Sequence, residues 1–329
     1  MRIRSTTAPT PAGPSAPRPR SRRAVAALAL AGGLASAAVL AVPVAASAQD
    51  ASVVVASASA SADHAASAAH WTPAARAAAL AADAPSVAGS ASASGSTQSA
   101  TLSSSDAASA ASGAPVPHPD QPFVGVLFYV SGGRNHACTA SVVDTPSGDS
   151  IATAAHCLVD RRTGAATTLA TFIPGAQGAA APHGIWPVRV AAVSSAWTAT
   201  GRASDDAGFA RVSGPAGEVL AASVGAAEPV FGSALVPASG VAPRLAVLGY
   251  PTAGSATAAL EACAGRPQHD TGGQTSLPCT LGTGAAGSPV LTAAGEQRAV
   301  VARPSAGRGV LLASWGADAE RALTSLHGR

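Results

Sequence analysis

Lysine is missing from all 329 residues, so every one of the 20 basic side chains is arginine. Charge of either sign is scarce at 11%, and aromatic residues make up only 3%. Acids are absent before Asp50, whereas Arg2, Arg4, Arg18, Arg20, Arg22 and Arg23 open the chain. The formal charge of +3 therefore belongs to one end: beyond residue 48, 14 arginines face 17 acids, a net of −3. No basic surplus remains to hold nucleic acid, and that partner class is excluded. A C-x-x-C pair is missing too, and His156 adjoins a single cysteine, so neither a metal site nor a cofactor is expected.

The basic opening is followed by an apolar run from Ala24 to Ala45 and then by Ala46-Ser47-Ala48. That order describes a secretory signal peptide over residues 1–48, so the protein is expected to be secreted. The run is about long enough to span a bilayer. Membrane attachment is expected only if the segment stays uncleaved, and Pro43 before the small residues favours cleavage.

From 49 to 115 the chain is mostly Ala, Ser and Gly, with one aromatic, Trp71. Such a stretch buries too little apolar surface to offset its ordering entropy. It reads as a disordered linker, with a short propeptide or wall-spanning stalk as the alternative. Within it, Thr72 and Pro73 are suited to start a transient helix running to about Asp83.

The texture changes near Pro115, and ten of the eleven aromatics lie beyond it. Residues 116–329 suffice for one domain with a sizeable core. Short β-type runs recur there between Gly/Pro turns: Phe123–Val130, Ala137–Val143, Ser150–Thr153, Thr168–Ile173, Trp186–Val193, Gly208–Val212, Arg244–Tyr250, Gln297–Ala302 and Gly309–Ser314. Many short strands with frequent turns predict an all-β sandwich or barrel. At the end, Ala319, Ala322, Leu323 and Leu326 fall at helical spacing and predict a C-terminal α-helix. Four cysteines in an exported chain predict disulfides. Of three possible connectivities, the local pairs Cys138–Cys157 and Cys263–Cys279 are the simplest, with separations of 19 and 16.

Three motifs carry chemistry. The first is Thr153-Ala154-Ala155-His156-Cys157, with Cys138 upstream in HACTASVV. The second is Asp205-Asp206-Ala207-Gly208-Phe209, and the third is Cys279-Thr280-Leu281-Gly282-Thr283-Gly284-Ala285-Ala286-Gly287-Ser288-Pro289-Val290. Together they resemble the trypsin/chymotrypsin family of serine peptidases, in its secreted actinobacterial form. FIPG at 172–175, HGIWPVR at 183–189 and LGYP at 248–251 extend the likeness over essentially all of 116–329. The resemblance implies two six-stranded antiparallel β-barrels with a C-terminal helix. It implies His156 as general base, Asp206 rather than Asp205 as the acid that orients it, and backbone N–H groups of Gly284 and Ala286 as the oxyanion hole.

The same alignment puts Ala286 where the family has its nucleophilic serine. A methyl group has no lone pair with which to attack a carbonyl. In a comparable Ser-His-Asp protease, loss of the nucleophile costs about 10⁶-fold in turnover, or about 8 kcal/mol of barrier. Ser288, two residues on, sits nearly 7 Å away by chain reach, whereas attack needs atoms about 3–3.5 Å apart. Thr283 lies on the wrong side of the oxyanion glycine. The expectation is a pseudo-peptidase that holds a peptide or protein in its cleft without cutting it. An active endopeptidase and a wall-associated structural domain are the alternatives. Thr280 and Leu281 offer no acid at the pocket base, and Arg303 and Pro304 break the pattern expected of the pocket flank.

Overall fold

The computed structural model describes residues 53–56, 60–82, 114–119, 121–214, 218–252, 259–305 and 309–327. The chain divides into units 1–48 and 49–329, and all described residues lie in the second. Residues 1–48, expected from the sequence to be a signal peptide, therefore fall outside them. No helix among the described residues is long and apolar enough to cross a membrane.

The elements are, in order, β1 (Val53–Ala56), α1 (Ala60–His70), α2 (Pro73–Ala82), β2 (Val116–Pro117), β3 (Val124–Ser131), β4 (Arg134–Val142) and β5 (Ser150–Ala154). A 3-10 turn, Ala155–Cys157, precedes β6 (Val159–Asp160), β7 (Ala165–Ala166), β8 (Thr168–Pro174), β9 (Trp186–Val193) and α3 (Ser195–Thr200). A second such turn, Ala203–Asp205, leads into β10 (Ala207–Val212) and α4 (Leu220–Val224). The rest comprises β11 (Leu245–Gly249), β12 (Glu261–Gly265), β13 (Gln268–His269), β14 (Thr275–Leu277), β15 (Pro289–Leu291), β16 (Gln297–Ser305), β17 (Gly309–Ser314) and α5 (Ala317–Ser325).

Six strands in the order β9-β10-β5-β4-β3-β8 form the first barrel, and a β8–β9 pairing closes it. Every ladder is antiparallel. Side chains alternate across each strand, and β3 uses both faces. Leu127 and Tyr129 point into the barrel with Ile151, Phe172, Trp186 and Val212. Val124, Val126 and Phe128 point outwards into a separate buried cluster.

The second sheet runs β13-β14-β17-β16-β15-β11-β12-β2. Its six central strands wrap a core that includes Leu245, Val247, Leu277, Val290, Val301, Val310 and Leu312. The disulfide Cys263–Cys279 ties β12 to the chain two residues beyond β14, so the ends of the six-strand set are joined covalently. A third cluster seats α5 through Ala319, Ala322, Leu323 and Leu326 against Phe209 and Trp315. The helical spacing read from the sequence thus faces the core.

The linker expectation for 49–115 needs correction within its described part. Strand β1 adds antiparallel to the free side of β9, from Val53↔Val193 to Ala56↔Val190. Helices α1 and α2 pack on the outside of the first barrel, with Trp71 and Leu80 fully buried in the Phe128 cluster. The indole N–H donates to the Leu169 carbonyl at 2.6 Å, and the Arg76 guanidinium donates to the Ala179 carbonyl at 2.8 Å. Composition underestimated this segment because one tryptophan and one leucine supply most of its burial. The Thr72 cap was legible: its hydroxyl accepts from Ala75 N at 3.2 Å, and α2 starts at Pro73.

Candidate functional site

Register builds the site. Strands β5 and β10 are antiparallel neighbours, and Ala154 lies opposite Ala207. The residues just after β5 and just before β10 must therefore emerge together, and Ala155 N donates to Asp206 O at 3.2 Å. The 3-10 turn then carries His156 over Asp206. Imidazole Nδ1 lies 2.8 Å from Asp206 Oδ2, and the backbone N–H of His156 donates to Oδ1 at 3.0 Å. Both carboxylate oxygens are thus spent on one residue, and the ring is fixed in orientation. Asp206 is buried, with its side chain 9% exposed, whereas that of His156 is 39% exposed. Asp205 turns away and accepts from Thr200 and Ser204 hydroxyls.

Burial is the largest influence on the His156 pKa, and it acts to lower it. The Asp206 carboxylate, through its charge and its hydrogen bond, outweighs that effect, and the positive charge of Arg303 opposes it. The net result is a pKa above the ordinary histidine value.

Cys157 is bonded to Cys138 on β4, which anchors the turn beside His156. The ligand atoms of Cys138, His156 and Cys157 lie within 4.8 Å of one another. They are no metal site, because the two sulfurs are bonded to each other and have no thiolate to offer.

The loop after Cys279 approaches from the second sheet, and Thr139 holds it. Thr139 N donates to Ala286 O at 2.8 Å, and its hydroxyl donates to Gly284 O at 2.9 Å. The same hydroxyl accepts from Tyr250 N at 3.0 Å, and the Thr139 carbonyl accepts from the Thr153 hydroxyl at 2.8 Å. One fully buried threonine therefore couples both sheets to the loop. Motif reading missed it, since a threonine inside a strand carries no local signal of partners 145 residues away.

The peptide planes of the loop are also set. Thr283 O accepts from Thr252 N at 2.7 Å, and Ala285 O accepts from Ser288 N at 3.1 Å. In a trans peptide the N–H points opposite the carbonyl, and no cis bond occurs among the described residues. The N–H groups of Gly284 and Ala286 therefore face away from those anchors, and neither finds an acceptor among the described residues. Gly287, at φ +84°, allows this approach: a Cβ there would stand 2.1 Å from Thr139 O.

Ala286 is 9% exposed and belongs to the apolar cluster that contains Cys138 and Cys157. Its methyl thus sits with the disulfide that flanks His156. Ser288 is fully buried, and its Oγ has no hydrogen-bond partner. That oxygen faces Gly249 on β11, where a Cβ would meet it at 2.3 Å. Among the described residues no hydroxyl bonds the second imidazole nitrogen, Nε2.

No protein-family model matches the chain, and no curated protein matches it. Solved structures do. The protease Anisep from Arthrobacter nicotinovorans superposes with a TM-score of 0.59 at 24% identity, covering 65% of this chain and 100% of that one. The thermostable serine protease AL20 from an extremophilic microorganism gives 0.57 at 22% identity, over 64% and 99% of the two chains. A Glu endopeptidase gives 0.52 at 15% identity, over 65% and 96%. The chain has the trypsin/chymotrypsin-like serine-protease fold.

Proposed function

We propose that this chain is a secreted pseudo-peptidase, a trypsin-like cleft that binds peptide or protein segments without hydrolysing them. The observation that carries the reading is Ala286 in the loop whose amides and glycines keep the form of a nucleophile site. His156 and Asp206 would act as base and orienting acid if a hydroxyl faced them. Without one, no acyl-enzyme can form. The amides of Gly284 and Ala286 do not depend on the side chain, so the groups suited to bind a carbonyl oxygen remain.

An active peptidase would need a substitute hydroxyl, and Ser288 disfavours that alternative by facing Gly249 from a fully buried position. Export through residues 1–48 is part of the proposal, and the two formed disulfides suit an oxidising compartment.

A fluorophosphonate probe tests the reading. The unaltered protein should stay unlabelled, whereas Ala286→Ser should become labelled and hydrolyse a casein substrate. Labelling of the unaltered protein within the 279–288 loop would overturn it. Failure of a folded Ala286→Ser protein to label would show that more than the nucleophile has been lost.

A further inference from the structure

We propose that the cleft captures the free C-terminal carboxylate of a peptide, with His156, Arg303 and the amides of Gly284 and Ala286 as its partners. The proposal rests on reading the cleft as a non-hydrolytic peptide site, and it names the part of the peptide that the cleft selects.

Each partner is an unused donor or positive charge. The amides of Gly284 and Ala286 are held in place by their anchored carbonyls and have no acceptor among the described residues. Nε2 of His156 would meet a serine hydroxyl in a working peptidase. Here the position that the resemblance aligns with that serine is the methyl of Ala286, packed in the cluster of the Cys138–Cys157 disulfide, and no hydroxyl among the described residues takes its place. The ring cannot turn away, because Asp206 holds both Nδ1 and the backbone N–H.

Arg303 completes the set. It is exposed on β16 and forms no ion pair among the described residues. Two residues before it, Val301 exchanges hydrogen bonds with the loop: Gly287 N donates to Val301 O at 2.7 Å, and Val301 N donates to Ser288 O at 2.9 Å. The ladder shifts register between Val301 and Arg303, so the strand is irregular where it leaves the loop. The guanidinium stands close enough to His156 for its charge to bear on the imidazole.

The chemistry selects among ligands. The carbonyl of an internal peptide bond offers one neutral oxygen, which two amides satisfy. It leaves the Nε2–H donor that His156 gains on protonation without an acceptor and the Arg303 guanidinium without a counter-charge, the imidazolium's own charge being met by Asp206. A carboxylate offers two oxygens and a negative charge, and charge-assisted hydrogen bonds are about twice as strong as neutral ones. Long-range attraction plays no part, since the chain beyond residue 48 carries a net of −3; the preference is local.

A pH dependence follows from the same groups. The charged residues that bear on His156 are Asp206, from the turn before β10, and Arg303, from β16. A peptide C-terminus titrates near 3.5, so it is anionic throughout the range in which His156 takes up its proton. Capture is strongest below the His156 pKa and weakens as pH rises through it.

The test uses two libraries of randomised N-acetyl hexapeptides, one ending in a free carboxylate and the other amidated. Each is equilibrated with immobilised protein at pH 5.5 and pH 8.5, and retention is read by mass spectrometry. The expected result is at least about tenfold preference for the acids at pH 5.5, shrinking severalfold at pH 8.5. Arg303→Ala should reduce the preference at both pH values, and His156→Gln should remove its pH dependence. Equal retention of acids and amides overturns the proposal, as does an acid preference that survives both substitutions. Probe labelling of Ala286→Ser reports separately on the protease-like reading. A labelled Ala286→Ser protein whose parent shows no acid preference therefore refutes carboxylate capture and leaves that reading standing.

Discussion

At His156 burial and charge pull in opposite directions, and the sign of the outcome can be measured. Burial would lower the pKa, Asp206 raises it by more, and Arg303 works against Asp206. Replacing Asp206 by Asn keeps the burial and the arginine but removes the negative charge. The His156 pKa in Asp206→Asn, followed by ring NMR shifts, should fall below the ordinary value near 6.5, whereas the parent titrates above it. Because the folded-state pKa is raised, the dyad's contribution to stability is fully present below about pH 6.5 and is lost as pH rises through the folded value. The stability difference between the parent and His156→Gln should therefore shrink between pH 5 and pH 8. Identical pKa values in the parent and Asp206→Asn would sever the electrostatic link. The motifs made this pair legible, since TAAHC and DDAGF mark strand ends that register brings together. Thr139 was illegible for the opposite reason, because its four hydrogen-bonding partners come from distant parts of the chain.

Among the secondary-structure elements, legibility followed side-chain size and length. Strands rich in Val, Ile, Leu and Phe, such as β3, β9 and β17, fall within a residue or so of where the pattern puts them. Strand β12 was missed, because Glu-Ala-Cys-Ala-Gly holds no large apolar residue to reveal alternation. Strands β14 and β15 have three residues each, too few for a period, and β15 begins with Pro289, which suits a first strand position. The weakly patterned β12 and β14 lie towards the two ends of the second sheet, and Cys263–Cys279 joins that pair. The disulfide does there what a ladder does in the first barrel. In the chain-entropy model a bridge across 16 residues contributes about 3 kcal/mol. Replacing both cysteines by alanine should lower the melting temperature by about 6–12 °C, at about 2–4 °C per kcal/mol for a domain of this size. A calorimetric shift under about 2 °C would show that the sheet ends hold without it.

For the molecule as a whole, the helices before residue 116 decide where the folded domain starts. Resemblance places the start near residue 116, and composition assigns everything from 49 to 115 to linker or propeptide. The fold places α2 on the outer face of β4 and α1 on that of β8 and β9, and Trp71 between them packs against Phe128 of β3 with ring centroids 5.3 Å apart. Without these helices the outward side chains of β3 would lose much of their cover, and an apolar face would meet water. Truncating a buried tryptophan to alanine costs about 3–5 kcal/mol where the site cannot collapse, a large share of a domain's net stability of about 5–15 kcal/mol. Trp71→Ala should therefore destabilise the whole domain by that amount in urea, with one transition and an unchanged slope. Deleting residues 60–82 should add binding of a hydrophobic dye to the uncovered face. A linker or a detached propeptide would behave otherwise: Trp71→Ala would unfold at the parent's midpoint, because the tryptophan would contribute nothing to the barrel. A shifted midpoint makes the helical pair part of the domain, and any trimming that removes it would then act on stability as well as on length.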